Sequence, residues 1–209
     1  AGPPGLDRFV LFSDGTGLAV EGVDDERTLS VAVRGRRIEF SVGCFFQSNL
    51  ALLDRLAAFA LDGLEGESAV DLYCGVGLFA ALLPAGFRRV TAVESSTLAM
   101  RFARANIRAA EQDLYPVGVE QWIASGAARG RPDAVVVDPP RPGLGPEVRA
   151  YLAERRPRQV SYVSCNPVTL GRDLGDLVRA GYGISSLRVL DFYPQTSHIE
   201  SVARLGLEE

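Results

Sequence analysis

Residues 69–83 read Ala-Val-Asp-Leu-Tyr-Cys-Gly-Val-Gly-Leu-Phe-Ala-Ala-Leu-Leu, an apolar strand pattern, a glycine turn and an apolar helix pattern in direct succession. Gly75 and Gly77 let the backbone of such a turn approach a ligand closely. The turn departs from the Gly-x-Gly-x-x-Gly pattern of dinucleotide-binding proteins, because it has only these two glycines and the acidic Asp71 precedes them. The stretch therefore predicts a strand–turn–helix unit of an α/β domain with a ligand over the turn.

Strand and helix patterns alternate from residue 68 onward. The apolar segments predict strands at 69–73, 90–94, 114–119, 133–138 and 159–163, and two more at 184–192 and 198–205. Helices are expected up to residue 83 and at 96–109, 146–154 and 167–180. This order predicts a Rossmann-like, doubly wound α/β sheet that is mostly parallel with an antiparallel last strand. Ligands of such sheets bind at the carboxyl ends of the strands.

Residues 1–43 have a different pattern. Short strands are expected at 9–12, 29–33 and 38–42, and Arg34-Gly35-Arg36-Arg37 predicts a hairpin tip. The arginine tip has two interpretations, a phosphate contact or a solvated turn. We therefore expect a small β appendage over 1–43 and a second domain over 44–209, which opens with an amphipathic helix at 50–60.

Composition excludes some classes of protein. The net charge is −4, and all 22 basic residues are arginine because the sequence contains no lysine. This is not the charge of a stand-alone nucleic-acid binder, so a nucleic-acid substrate would require clustered basic residues or another domain. The widely spaced Cys44, Cys74 and Cys165 predict neither disulfides nor a metal or iron–sulfur centre. Without a membrane-spanning run, a secretory signal or a large apolar patch signal, the expectation is a cytoplasmic monomer.

Residues 161–170, Ser-Tyr-Val-Ser-Cys-Asn-Pro-Val-Thr-Leu, predict a buried strand that stops at Cys165. Asn166 is expected to cap the next helix, and Pro167 fits its first turn. A cysteine directly before a helix N-terminus lies in positive potential, which favours the nucleophilic thiolate. The alternative interpretation is a small buried apolar side chain at a strand end.

Two further motifs follow strands. Glu94 ends the second strand, where a carboxylate can accept both hydroxyls of a ribose. With the glycine turn, this acid suits S-adenosylmethionine at least as well as a nicotinamide cofactor. Asp138-Pro139-Pro140-Arg141 ends the fourth strand, and its prolines stiffen a loop that faces the same pocket. Arg141 stands where methyltransferases acting on exocyclic amines usually carry an aromatic residue, which argues against amine methylation.

Five motifs, in this order and spacing, resemble the RNA uracil-5-methyltransferase family over about residues 40–205. They are Phe46-Gln47-Ser48-Asn49, the glycine turn at 71–77, Asp138–Arg141, Ser164-Cys165-Asn166-Pro167 and the segment 191–200, Asp-Phe-Tyr-Pro-Gln-Thr-Ser-His-Ile-Glu. The resemblance implies a class I methyltransferase fold with S-adenosylmethionine as cofactor. It implies cofactor contacts at Gln47, Tyr73, Gly75, Gly77, Glu94 and Asp138. Residues 1–43 would then be the remnant of a middle domain.

The resemblance also implies a covalent mechanism. Cys165 would add to carbon 6 of uracil, which makes carbon 5 nucleophilic, and Glu200 would remove the carbon 5 proton after methylation. The target base must leave its stack to reach the pocket. Arg141, Asn166 and His198 are the expected substrate contacts, and His198, the only histidine, is expected to orient Glu200 or the preceding turn.

Four alternatives concern the substrate and the activity. Ribosomal RNA, in particular 23S rRNA, is favoured over transfer RNA, because the glycine turn lacks the asparagines that the transfer-RNA branch tends to carry. Cytosine-5 methylation generally places a cysteine after the proline of the fourth-strand motif, where this chain has Pro140. A non-enzymatic chain would bind S-adenosylmethionine or RNA without turnover.

Four other residues are interpreted as packing residues: Cys44, Cys74, Tyr115 and Trp122.

Overall fold

The computed structural model describes residues 11–13, 18–22, 25–196 and 199–208. Its strands are β1 (Leu11–Ser13), β2 (Leu18–Val20), β3 (Leu29–Val33), β4 (Arg36–Phe40), β5 (Ser68–Leu72), β6 (Arg89–Val93), β7 (Glu111–Tyr115), β8 (Ala134–Val137), β9 (Gln159–Ser164), β10 (Tyr182–Leu190) and β11 (Glu200–Leu207). Its helices are α1 (Leu53–Leu61), α2 (Leu78–Leu82), α3 (Thr97–Asn106), α4 (Val119–Ala124), α5 (Pro146–Arg155) and α6 (Pro167–Arg179), and a short 3₁₀ turn at Leu50–Leu52 precedes α1. In the part of the chain so described, no helix has the length and apolar character needed to cross a membrane.

Seven strands form the main sheet in the order β10-β11-β9-β8-β5-β6-β7. The five strands from β9 to β7 are parallel, whereas β11 is antiparallel to both β9 and β10. The expected doubly wound sheet with an antiparallel end is therefore confirmed. The direction of winding reverses between β5 and β8, and a crevice opens at such a reversal beside the carboxyl ends of the strands.

Strand β8 shows why both faces of the sheet are covered. All four of its residues are buried, and successive side chains point to opposite faces. Ala134 and Val136 join the apolar cluster that contains α1 and α2, whereas Val135 and Val137 join the cluster that contains α4, α5 and α6. A strand between two helical layers has no polar face, which explains the unbroken apolar run at 134–137.

The hairpin β3–β4 packs on the same core as α1 and α2. Val33, Ile38 and Phe40 are fully buried and belong to the apolar cluster of those helices. Asn106, at the end of α3, accepts from the Glu39 amide (2.8 Å) and donates to the Glu39 carbonyl (2.7 Å). Its side chain thus imitates a strand partner for β4 and holds the hairpin against α3.

Arg34 and Gly35 form the tip of this hairpin with φ values of 49° and 76°. Two consecutive positive φ values are typical of the tight turns that join antiparallel strands. The Arg34 amide donates to Asp54 (2.7 Å), and its guanidinium pairs with Asp62 (2.6 Å). The tip therefore joins the hairpin to α1, a contact that neither sequence-based interpretation included.

Strand β2 was not expected, and two further elements differ from the sequence-based expectations. The third parallel strand lies at Glu111–Tyr115 rather than at 114–119, because β7 is an edge strand whose first three residues are polar and exposed. Helix α4 was not expected, since six residues hold less than two turns of apolar periodicity. It buries Trp122 against Tyr151 at 5.6 Å between ring centroids, and this agrees with the interpretation of Trp122 as a packing residue.

Candidate active site

A cavity of about 650 Å³ opens at the carboxyl ends of the parallel strands. It is bounded by the turn after β5, the end of β6, the loop after β8, the residue after β9 and the first residue of β11. Its lining residues are Phe45, Phe46, Gln47, Tyr73, Cys74, Gly75, Val76, Leu78, Phe79, Glu94, Ser95, Asp138, Pro139, Pro140, Arg141, Cys165, Tyr193 and Glu200. Eight of the expected site residues therefore meet in one hollow.

The glycine turn after β5 curls back through three left-handed residues, Tyr73 (φ 62°), Gly75 (φ 53°) and Gly77 (φ 79°). A Cβ at Gly77 would lie 3.1 Å from the Cα of Ala103, so this glycine allows α2 and α3 to approach each other. A Cβ at Gly75 would meet nothing within 4 Å, because this residue borders the cavity. The two glycines thus serve different purposes: one permits packing, and the other leaves room for a ligand.

Asp71 fixes the start of the helix that follows this turn. Its fully buried carboxylate accepts from the backbone amide of Ala80 (2.9 Å) in the first turn of α2. Burial nevertheless raises the pKa of Asp71 to about 8, because the bond from Ala80 offsets only part of the desolvation and the carboxylates of Asp138 and Glu94 add repulsion. Asp71 therefore stabilises the turn by holding the first turn of α2 in place.

Glu94 closes the turn from the end of β6. One carboxylate oxygen accepts from the Gly75 amide (3.1 Å), and the other accepts from the Ser96 amide (2.7 Å) and the Ser95 hydroxyl (3.1 Å). The carboxylate is thereby held at the cavity wall by two segments of the chain. Each oxygen can accept more than one bond, so a ligand hydroxyl can still approach.

Asp138 and Gln47 both line the cavity, although they come from distant parts of the sequence. The side chain of Gln47 hydrogen-bonds to the Asp138 carboxylate, yet burial outweighs this bond and raises the pKa of Asp138 to about 7. Gln47 is itself buried, and its Oε1 atom has no partner among the described residues. A buried amide oxygen without a partner is a costly arrangement unless a ligand donates to it.

Cys165 and Glu200 lie opposite each other because of the sheet topology. Ser164 at the end of β9 pairs with Ser201 of the antiparallel β11. Continuing this register by one residue places Cys165 opposite Glu200, and opposed residues of an antiparallel pair project on the same side. Both side chains line the cavity. Because β11 is antiparallel to β9, its first residue, Glu200, lies at the carboxyl ends of the parallel strands.

Electrostatics at this pair differ from the sequence-based expectation. Glu200 is 2% exposed, and burial together with the Asp138 carboxylate raises its pKa to about 8. The pKa of the Cys165 thiol is also raised, first by burial and then by the carboxylates of Glu200 and Asp138. Arg141 opposes these effects without reversing them. Burial, and after it two acids from distant segments, therefore outweigh the effect that the sequence predicts for the helix N-terminus, and the pKa of the thiol is raised rather than lowered.

The loop that carries Arg141 is tied to the helix that follows Cys165. Asn166 caps α6 by accepting from the Val168 amide (3.1 Å), and its side-chain NH₂ donates to the Arg141 carbonyl (3.1 Å). The Thr169 hydroxyl donates to the same carbonyl (3.2 Å). Asn166 does not line the cavity, whereas Arg141 does. His198, the third expected substrate contact, lies outside the described residues.

A buried acid that sequence reasoning missed supports the same loop. Asp173 on α6 is fully buried and accepts from the Tyr162 hydroxyl (2.7 Å) and the Leu144 amide (2.8 Å). Arg149 and Arg172 neutralise its other oxygen. In the sequence, Asp173 is one of several polar residues on an amphipathic helix. Nothing in that pattern indicates that it anchors the loop after β8.

Two aromatic residues at the cavity were also missed. Phe45 is 73% exposed although it lines the cavity, and Tyr193 lines the same hollow from the segment between β10 and β11. Burial raises the pKa of Tyr193, and its hydroxyl interacts with Ser48. Phe45 directly precedes the motif that begins at Phe46, and Tyr193 lies within the motif at 191–200. These positions were the available signal.

Comparisons with known proteins agree with this geometry. A protein family described as tRNA (uracil-5-)-methyltransferase matches the chain over residues 13–116 and 130–206. The chain is 32% identical over 212 residues to an uncharacterized RNA methyltransferase of Treponema denticola, which covers 93% of this chain and 52% of that protein. It is 34% identical over 206 residues to the 23S rRNA (uracil(1939)-C(5))-methyltransferase RlmD of Aeromonas hydrophila, covering 95% of this chain and 46% of that protein.

A solved structure extends the likeness to three dimensions. The tRNA (uracil-54, C5)-methyltransferase of Pyrococcus abyssi, in complex with S-adenosyl-L-homocysteine, matches with a TM-score of 0.72 and 31% sequence identity. The match covers 85% of this chain and 44% of that one. The chain thus spans about half or less of the length of the proteins it matches.

Proposed function

The chain belongs to the tRNA (uracil-5-)-methyltransferase family, and from that premise we propose that it transfers a methyl group from S-adenosylmethionine to carbon 5 of a uridine in RNA. The observation that carries the proposal is that Cys165 and Glu200 line one cavity. Addition to a pyrimidine ring and release from it require a nucleophile and a base that can both reach the ring.

The cavity fits the expected cofactor. Its volume lies within the usual range for small-molecule sites, about 300–1,000 Å³. Open space beside Gly75 and the unpartnered buried oxygen of Gln47 are features that a bound ligand explains. We assign Glu94 to the ribose, and Gln47, Tyr73 and Asp138 to the rest of the molecule. Gly77 acts indirectly by shaping the turn. S-adenosylmethionine bound there supplies a methyl group on a positively charged sulfur.

Cys165 activates the uracil ring. Its thiolate forms a bond to carbon 6, and the electrons of the 5,6 double bond move towards the carbonyl at carbon 4, which makes carbon 5 a nucleophile. Burial and two acids hold the pKa of the Cys165 thiol above its usual value, so they oppose formation of the thiolate. Arg141 lines the cavity and is the cation that favours the thiolate.

Glu200 completes the reaction by taking the proton from carbon 5. The electron pair of that bond restores the double bond and expels the Cys165 thiolate. A pKa of about 8 makes this carboxylate a far stronger base than an exposed glutamate once it is ionised. General-base assistance of this kind contributes roughly 10²–10⁴-fold to a rate.

We extend the proposal to 23S ribosomal RNA as the substrate. It is supported by the named relative from Aeromonas hydrophila and by the absence of asparagines in the glycine turn. Transfer RNA is the second candidate, favoured by the similarity to the Pyrococcus abyssi structure. Mapping 5-methyluridine in cells with and without the gene separates them, because the mark should disappear from one ribosomal position and remain in transfer RNA.

The mechanism is tested by single substitutions at the paired residues. We expect the purified chain to convert uridine to 5-methyluridine in RNA with labelled S-adenosylmethionine, and Cys165→Ala to abolish the transfer. Glu200→Gln should allow addition and methylation but not release, so protein and RNA should stay covalently joined on a denaturing gel. The double variant should give no joined species, because it lacks the sulfur.

Cys44 provides the matched control, since it is a buried cysteine outside the cavity lining. Cys44→Ala should keep the activity. Methyl transfer that survives Cys165→Ala would remove the covalent mechanism. Cofactor binding by calorimetry without transfer to any RNA would instead indicate a chain that binds without turnover.

A further inference from the structure

Helix α3 carries a strip of positive charge in a protein whose net charge is −4. Residues 95–110 contain three arginines, Arg101, Arg104 and Arg108, and no acidic residue. Their spacing of three and four residues aligns them along one side of the helix and its end, and all three are exposed. We call these three residues the arginine stripe.

The stripe ends at a second cavity, of about 320 Å³, on the edge of the sheet opposite to the active site. Arg36 of β4, Arg88 before β6 and Arg108 after α3 line it, and we call it the arginine pocket. Three distant segments of the chain thus bring guanidinium groups to one hollow. Its remaining lining residues are apolar, and no carboxylate of the described residues lines it.

Several arginines of the chain pair with acids, whereas none of the three arginines of this pocket has an ion-pair partner among the described residues. Arg34 pairs with Asp62, and Arg149 and Arg172 pair with Asp173. By contrast, the side chains of Arg88 and Arg108 have no hydrogen-bond or ion-pair partner among the described residues. Arg36 donates to the Ala81 carbonyl at the end of α2, which leaves other N–H groups of its guanidinium.

We propose that the arginine stripe and the arginine pocket bind backbone phosphates of the RNA substrate, an inference that rests on the proposed function. Guanidinium groups match the geometry of phosphate oxygens with two parallel hydrogen bonds. Helix α3 begins directly after Ser96, which caps it beside Glu94 at the active-site cavity, and ends at the arginine pocket. At 1.5 Å per residue it spans about 15 Å, so the stripe leads an RNA strand from one cavity to the other.

Charge clustering explains how an acidic protein can hold a polyanion. Each phosphate that an arginine neutralises releases condensed counterions, and this sequence-independent gain depends on local charge rather than on net charge. A free phosphate ion would need only the pocket, whereas the stripe extends well beyond it. The continuous arrangement favours a strand over a single small anion.

The test measures RNA binding at several salt concentrations. Arg88→Gln and Arg108→Gln are combined in the otherwise complete chain, because these side chains lack partners, whereas Arg36 caps α2. The probe is a fluorescein-labelled single-stranded oligouridine, read by anisotropy between about 50 and 200 mM salt. Loss of two contacts should weaken binding roughly 25-fold at 0.1 M salt and lower the slope of log affinity against log salt by about 1.4, since each phosphate on a single strand contributes about 0.7.

Arg155→Gln is the matched control, because Arg155 is an exposed arginine at the end of α5, on the opposite face of the sheet. It should leave both affinity and slope unchanged. Equal effects of the double variant and the control, or no effect of either, would overturn the proposal. A second arm follows the melting temperature with inorganic phosphate. Stabilisation by phosphate that the double variant loses, with RNA binding intact, would indicate a free-anion site and also overturn it.

Failure of this inference can be told apart from failure of the proposed function. If the wild type methylates RNA and the double variant binds RNA as well as the wild type does, the role of the arginine stripe and the arginine pocket is rejected and the proposed function stands. If the double variant binds RNA more weakly but the wild type does not methylate RNA, the phosphate-binding role stands and the proposed function is rejected.

Discussion

At the scale of single residues, three ionisable groups of the candidate site lower the stability of the fold when they are charged. Asp138, Cys165 and Glu200 line one cavity and have raised pKa values. Burial is the first cause for all three, and nearby carboxylates raise the pKa of Cys165 and Glu200 further. Such a group stabilises the fold less in its charged form than in its neutral form. Active sites commonly carry this kind of strain, and its removal stabilises the protein while it removes the chemistry.

Glu200 allows a direct measurement of that cost. Folding raises its pKa from 4.5 to about 8, so the folded chain holds the proton more tightly than the unfolded chain. Its contribution to stability is therefore complete below about pH 4.5 and is lost as the pH rises through about 8. We expect Glu200→Gln to have a higher free energy of unfolding than the wild type at pH 9, by a few kcal/mol, since one pKa unit corresponds to about 1.4 kcal/mol.

Urea denaturation at pH 5 and pH 9 checks this expectation, because the variant and the wild type should differ much less at pH 5. Glu154→Gln, at an exposed position on α5, is the control and should give the same small difference at both values. An effect of Glu200→Gln that is equal at the two pH values would contradict the raised pKa.

Sequence reasoning identified more of the site than of its electrostatics. Gln47, Glu94 and Cys165 were selected from motifs, and the structure brings them to one cavity. Their roles stay predictions. The raised pKa of Cys165 could not be predicted, because burial, its first cause, and the two distant acids that add to it arise only when the chain folds. Phe45 and Tyr193 lie at or within the motifs, but an aromatic side chain in such a position can equally pack in the core, so the sequence did not distinguish the two cases.

At the scale of elements, strand order determines which residues meet. The sequence predicts where most strands lie, because alternation and apolar runs are local properties. It does not state that β11 inserts between β9 and β10, yet only that order places Glu200 opposite Cys165. The same locality explains the shifted β7 and the missed α4. An edge strand need not be apolar, and a helix of six residues has too few positions to show a period.

The glycine turn offers a matched pair of substitutions at this scale. Both Gly75 and Gly77 have positive φ, so alanine at either site costs about 1–2 kcal/mol of backbone strain. Gly77→Ala should cost about 1–3 kcal/mol more, because its methyl group would press against Ala103 and Ile107. Gly75→Ala should instead weaken S-adenosylmethionine binding, since its methyl group would project into the cavity.

Thermal unfolding and calorimetry with S-adenosylmethionine separate the two outcomes. We expect Gly77→Ala to have the lower melting temperature and Gly75→Ala the larger loss of cofactor affinity relative to its loss of stability. Identical profiles for the two variants would show that the turn has a single purpose and would contradict the division of roles.

At the scale of the whole molecule, the central question is whether the first 43 residues form a separate unit. The sequence predicts a boundary there, because the pattern of short strands gives way to alternating strands and helices. In the structure, buried residues of β3 and β4 share one apolar cluster with α1 and α2, and Asn106 bonds to both Glu39 of the hairpin and the Val76 carbonyl of the glycine turn. Shared packing of this kind couples unfolding of the hairpin to unfolding of the main sheet.

Phe40 and Trp122 allow that coupling to be measured. Phe40 is fully buried in the hairpin and stacks on Phe46 at 4.0 Å between ring centroids, whereas Trp122, the only tryptophan, is buried in α4 on the other face of the sheet. Phe40→Ala should cost about 3–5 kcal/mol through the cavity that it leaves. If the chain unfolds as one unit, the free energy of unfolding reported by Trp122 fluorescence should fall by that full amount, and circular dichroism should give the same denaturation midpoint.

Arg37→Gln is the control, because Arg37 is exposed on the same hairpin, and it should leave the midpoint unchanged. A Trp122 transition that does not move in Phe40→Ala would instead make residues 1–43 an independent appendage, and the packing of Phe40 against Phe46 would then be a local contact that leaves the rest of the chain unaffected.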